Sequence, residues 1–285
     1  MTLAHKKEMP ITTTIDIALQ SAITTNTKNS FGNQTLYDMC KRGSMLNADE
    51  LADEIWLIGR SYAASPERRF ANRVGSLTRG RGTGDYFKHI AKYLISQPDF
   101  LSLVNKIKSL TPLKFDCSPN DFSNLCSSIQ CVEKMNELIK AASKDYDRVY
   151  NPGILCPPTV YKNQISFCSK FLHFQMPDNF FIIDTFTFEA GKQLFLTGCR
   201  GTVSLYSIPV TSAERLAFSN WLSHVFASAP GCTKTSSVVD DYKEHVKKSY
   251  ALGVILKEIG RIYSISKSPL VTYPRLTDIV LQNVL

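Results

Sequence analysis

At 285 residues the chain is long enough for one large domain, or for two subdomains sharing a cleft. Hydrophobic residues at 44% and charged residues at 20% exclude a disordered chain, and a core of this size needs neither metal nor disulfide to fold. The 33 basic against 25 acidic residues give a formal charge of +8, a sign that suits polyanionic partners, nucleic acid or an acidic membrane surface.

Residues 1–34 are rich in Thr, Asn and Lys and read as a loosely ordered N-terminal segment, with a short helix over Ile15–Ile23. They hold no uninterrupted apolar stretch, and no later window reaches the roughly 18 apolar residues of a membrane span. Neither secretion nor membrane spanning is expected. A helix follows, with Asn47 as N-cap, Glu50 three residues on, and Leu51, Ile55 and Ile58 on one face as far as Ala63.

Gly75–Gly84 is too glycine-rich for a regular element and reads as a basic loop. Helical periodicity resumes over Asp85–Ser96, Phe100–Ile107 and Asn120–Ser143. Tyr150–Pro158, YNPGILCPP, is a connector, which divides the chain into subdomains at 35–150 and 151–285. Beyond it the pattern predicts a helix over Lys162–Gln175, an extended run over Phe180–Ile183, and a helix opening at Asp184. A strand over Val203–Ile208 and helices over Ser212–Phe226, Asp240–Ile262 and Pro274–Gln282 complete the chain. The fold class is mainly α with few short strands.

The eight cysteines form no CxxC pair, and none stands at zinc-finger spacing to a histidine pair. They read as reduced thiols of a cytoplasmic protein with no metal and no cofactor. There is no GxxxxGK[ST], HExxH or GxSxG, and RGRGTG lacks the glycine spacing of a dinucleotide fingerprint.

One stretch stands apart: Lys162–Glu189, KNQISFCSKFLHFQMPDNFFIIDTFTFE. An apolar helix carries a lysine, a proline interrupts it, an apolar extended run follows, and Asp184 is placed to cap the next helix. SFCSKFLHF…PDNFFIID resembles the lysine helix and the "(F/V)P(I/V)xD" segment of helix-hairpin-helix DNA glycosylases. It is most similar to proteins of the 8-oxoguanine glycosylase fold, including those carried in bacterial anti-phage gene clusters.

The resemblance implies a two-subdomain helical fold around a cleft, and base excision from double-stranded DNA carrying a modified base. A lysine amine attacks the sugar C1′ and forms a Schiff base, while an aspartate stabilises the developing cation. It further implies a role in phage defence. Asp184 takes the aspartate's part. Lys170 and Lys162 compete for the nucleophile's, standing 184 − 170 = 14 and 184 − 162 = 22 residues before it. From Lys170 the helix advances about 8 Å to Gln175, and from Lys162 about 20 Å; an extended return covers either.

Two family features are missing. The run NPGILCPPTVYK holds only Gly153 where the family's hairpin has a GxG turn, and no closing four-cysteine cluster is present. Attack needs an uncharged amine, and Phe167, Phe171, Leu172, Phe174 and Phe180 offer the apolar surroundings that favour one. A flipped base needs flat partners. Phe174, one turn after Lys170, is the first candidate, with His173 and Trp221 beside it. Arg68, Arg69, Arg79 and Arg81, in and before the basic loop, are the candidates for phosphate contact. A catalytically inactive DNA- or partner-binding module of the same fold is the alternative.

Overall fold

A computed structural model describes residues 34–62, 64, 83–116, 118–150, 163–185, 187–188, 237–262 and 272–282. Eight helices occupy them, with no strand among the described residues. These are α1 (34–42), α2 (Ala48–Ser61), α3 (Thr83–Ser96), α4 (Pro98–Ser109), α5 (Pro119–Tyr150), α6 (Ile165–Gln175), α7 (Ser237–Ile262) and α8 (Tyr273–Gln282). The protein is mainly α, as the periodicity indicates. The segment before residue 34, the strand at Val203–Ile208 and the helix at Ser212–Phe226 lie outside the described residues.

The chain forms two compact units: residues 31–183 with 235–246, and residues 1–30, 184–234 and 247–285. In the first unit α3 packs against α2, and α5 lies against α3, α4 and α6; α6 also touches α2. Helix α6 is buried nearly all round, with only Ser166 and Gln175 half-buried among its residues. Its sequence, ISFCSKFLHFQ, carries Ser166, Ser169, Lys170 and His173 on one side, and of these only Ser166 is more than slightly exposed.

Local chemistry fixes the helix ends. Asn47 caps α2, its Oδ1 accepting the N–H groups of Asp49 at 3.0 Å and Glu50 at 3.3 Å. Glu50 does not complete a capping box. Its carboxylate reaches further back, accepting the Ser44 N–H at 2.6 Å, which clamps the turn between α1 and α2. In the first turn of α5, buried Asp121 accepts the N–H groups of Lys114 at 2.8 Å and Asp116 at 3.2 Å. The residue between those donors, Phe115, has φ of 54°, so the grip holds a bulky side chain in the left-handed region.

Helix α5 runs about two turns past Ser143, because Tyr146 and Asp147 continue its buried face. Helix α3 begins at Thr83 rather than Asp85, so the last two residues read as basic loop are its first turn. Helix α6 begins at Ile165 rather than Lys162, where Asn136 of α5 accepts the Gln164 N–H at 2.6 Å.

In the second unit, Thr272 Oγ1 accepts the Arg275 N–H at 3.4 Å at the start of α8, and Arg275 pairs with buried Asp278 one turn on. No helix of the described residues is long and apolar enough to cross a membrane.

Candidate functional site around Lys170

Lys170 lies on the middle turn of α6 and is only 3% exposed. Its Nζ donates to Ser166 Oγ at 3.3 Å, one turn earlier, and stands 5.6 Å from the centroid of the Tyr62 ring. An ammonium removed from water needs such partners, a hydroxyl dipole and an aromatic face. Tyr62 also stacks at 5.4 Å on Phe174, which meets Tyr37 at 4.8 Å. Lys170 and Phe174 are thus brought into one aromatic cluster, built by α6 with Tyr37 from α1 and the Tyr62 cap of α2.

His173 is fully buried, and both ring nitrogens are engaged. Its Nδ1 faces the Phe180 carbonyl at 2.7 Å, and its Nε2 faces the Tyr37 hydroxyl at 2.7 Å. A carbonyl only accepts, so Nδ1 carries the proton; Nε2 of the neutral ring then accepts from Tyr37. This histidine fastens the interior, with both ring nitrogens turned to protein partners. Phe174 is buried too, at 1% exposure, and packs as a core side chain.

The expected extended run at Phe180–Ile183 is present, buried, and held in an unusual way. Among the described residues, side chains take up four of its backbone groups. His173 donates to Phe180 O, the Tyr242 hydroxyl to Phe181 O at 3.5 Å, and His245 Nε2 to Ile182 O at 2.8 Å. The Ile183 N–H donates to Ser169 Oγ at 3.2 Å. Asp184 comes next and belongs to the second unit, where it caps a helical turn as expected. Its Oδ1 accepts the Thr187 N–H at 2.9 Å, and its own N–H donates to Thr187 Oγ1 at 3.0 Å.

Glu54 was not anticipated. It is 1% exposed, and its Oε2 accepts from Gln175 Nε2, at the end of α6, at 2.6 Å. Its Oε1 is buried and has no hydrogen-bond partner among the described residues. Burial chiefly, with the nearby Glu50 charge, raises its pKa to about 7, against the lowering effect of Gln175. A side chain at Gly43 would meet the Glu54 carboxylate, which would have to shift to admit it. Burial also pushes the Cys40 thiol up, with Glu54 adding to the effect.

The signals for these residues were in the sequence. Glu54 falls within the apolar stripe of Leu51, Ile55 and Ile58; Ser169 and His173 stand four apart on the side of the helix that also carries Ser166 and Lys170; Tyr242 and His245 stand three apart. Tyr37 gave no such signal.

Lys162, Trp221, Arg68, Arg69, Arg79 and Arg81 lie outside the described residues. Cys40, Cys126, Cys131 and Cys168 form no disulfide, and no cluster of metal-ligating side chains occurs among the described residues. No protein-family model, curated protein or solved structure matches the chain, and the site therefore rests on its own geometry.

Proposed function

We propose that the protein is a DNA glycosylase that excises a modified base through a lysine nucleophile, with Lys170 in that role and Asp184 stabilising the cation that develops on the sugar. The observation that carries this reading is the burial of Lys170 among aromatic side chains, on a helix with no solvated face. A lysine there does nothing for solubility, and an amine shielded from water is what attack on a sugar carbon requires. The net charge of +8 suits a DNA substrate.

In the proposed reaction the lysine Nζ loses a proton and bonds to C1′, and the bond from C1′ to the base breaks. The base leaves as a protonated species, and the sugar ring opens to a Schiff base. Lys162 remains the competing nucleophile, and action on an oxidised purine and a place in phage defence belong to the same proposal.

A second reading is favoured by one specific observation. His173 and Phe174, expected at the base, are both interior and both meet Tyr37. In a binding module without catalysis, Lys170 is simply a buried lysine that ties α6 to Tyr62.

Borohydride trapping separates the two. Wild type, Lys170→Ala and Lys162→Ala are each mixed with duplex DNA carrying an abasic site or 8-oxoguanine, and reduced. A covalent adduct that one substitution abolishes identifies the nucleophile. No adduct from the wild type with either DNA sinks the Schiff-base reading and leaves the binding module.

A further inference from the structure

Lys170 is buried, so nothing in solution meets its amine until part of its cover moves. One piece of that cover is the end of α2. The ring of Tyr62, the residue that closes this helix, stands 5.6 Å from Lys170 Nζ and 5.4 Å from the Phe174 ring. The same helix is tied to α6 at a second point, where Gln175 Nε2 donates to Glu54 Oε2 at 2.6 Å. Glu54 precedes Tyr62 by 62 − 54 = 8 residues, about two helical turns.

The second tie depends on a group that tolerates one charge state better than the other. Glu54 is buried, and its Oε1 has no hydrogen-bond partner among the described residues. A neutral carboxyl can sit there; a carboxylate leaves charge on an oxygen with nothing to solvate it. The Gly43 backbone lies so close to Oε1 that an added Cβ would meet it. The titratable groups that face Glu54 are Glu50 on its own helix and the Cys40 thiol on α1, and a nearby negative charge disfavours another. Helix α6 brings only the uncharged Gln175 amide. Among the described residues no charged group of α3, which also packs on α2, acts on it.

We propose that the Glu54–Gln175 contact is a pH-operated latch: ionisation of Glu54 loosens α2 from α6 and uncovers the Lys170 amine. The inference rests on the proposed function only in treating Lys170 as the site; it concerns access to the amine, whatever the amine does. Its direction follows from the two states of the carboxyl, which titrates at its ordinary 4.5 once water reaches it and at about 7 while the contact is closed. Below pH 4.5 both states hold the proton and pH has no leverage. As pH rises the open state ionises first, so opening gains up to about 7 and stays at its full extent above it. Between pH 6 and pH 8.5 the ratio of open to closed molecules rises by up to about tenfold.

The test is pulsed acetylation with sulfo-N-hydroxysuccinimidyl acetate at pH 6 and pH 8.5, read by peptide mapping. Labelling of Lys170 is expressed relative to Lys92, which is exposed on α3. Wild type is compared with Glu54→Gln, which keeps an oxygen for Gln175 and cannot ionise. From the lower to the higher pH the labelling ratio should rise about three- to tenfold more in wild type than in the variant. A second measurement needs no variant. Amide hydrogen exchange of wild type, corrected for its intrinsic pH dependence, should quicken by a similar factor in peptides covering 54–62 and 170–176, with α5 little changed.

Equal pH dependence of Lys170 labelling in wild type and Glu54→Gln overturns the proposal. So does exchange that quickens as much across α5 as at the α2–α6 contact, which would be a loosening of the whole unit and no latch. The two readings fail separately. If wild type forms no borohydride adduct while Lys170 labelling follows Glu54, the glycosylase reading falls and the latch stands. If the adduct forms and labelling ignores Glu54, the nucleophile stands and the latch falls.

Discussion

Glu54→Gln retains the shape of a side chain buried beside Gly43 and an oxygen to accept from Gln175, while removing the group that ionises. Glu54 in the folded protein titrates at about 7, against an ordinary value of 4.5. The direction of the effect follows from this. Below pH 4.5 the carboxyl is neutral in both folded and unfolded chains and has no influence. As the pH rises from 4.5 towards 7 the unfolded chain ionises first and gains, so stability falls; above about 7 the full penalty is present.

At about 1.4 kcal/mol for each pH unit between those values, the ceiling is about 3 kcal/mol, and partial relaxation of the site makes about 1–3 kcal/mol the working figure. Urea denaturation of wild type and Glu54→Gln at pH 5 and pH 8.5 measures it. The advantage of the glutamine variant should grow by that amount from the lower to the higher pH, or by several degrees in Tm. A difference independent of pH, or a glutamine variant less stable than wild type at pH 8.5, would refute the assignment of Glu54 as a buried, uncompensated carboxyl.

Other perturbations test the same interior. His173→Phe removes the hydrogen bonds to the Tyr37 hydroxyl and the Phe180 carbonyl together and should cost about 2–4 kcal/mol in urea denaturation, with Tyr37→Phe costing less. Gly43→Ala should lose about 1–3 kcal/mol, and Glu54→Ala in the same chain should recover part of it, a coupling that a double-mutant cycle reads directly. Iodoacetamide under native conditions should modify half-buried Cys126 well before Cys131 and Cys168, because those thiols are fully buried, and burial pushes Cys131 up to about 11. Peptide mapping after brief labelling would show the order.

The helical character of the chain was legible wherever apolar residues recur at helical spacing, and end chemistry was legible at Asn47 and Asp184, whose side chains cap as their positions predict. Pro177, the break after α6, and the extended run at Phe180–Ile183 were read from composition alone. The interior polar contacts were not, because each joins residues far apart in sequence: Tyr37 with His173, Glu54 with Gln175, His245 with Ile182. Periodicity reports which face a residue occupies, and a polar residue on an apolar face announces only that some partner exists. Phe174 shows the opposite difficulty. Its spacing from Lys170 suits a base-stacking residue, but the same spacing on a helix buried all round gives a core side chain.

The extended run at Phe180–Ile183 has a consequence for how the chain acquires its structure during synthesis. Two of its carbonyls accept from Tyr242 and His245, on the far side of residues 184–234 in sequence, and that intervening stretch belongs to the other compact unit. The first unit therefore cannot close when Ile183 leaves the ribosome. Until residues 242–245 emerge, buried carbonyls of Phe181 and Ile182 lack those donors, a deficit of about 1–3 kcal/mol each. A nascent chain that stops short of α7 carries α6, with Lys170 on it, in an unfinished interior, so any activity that depends on that lysine becomes available only after most of the protein has been made.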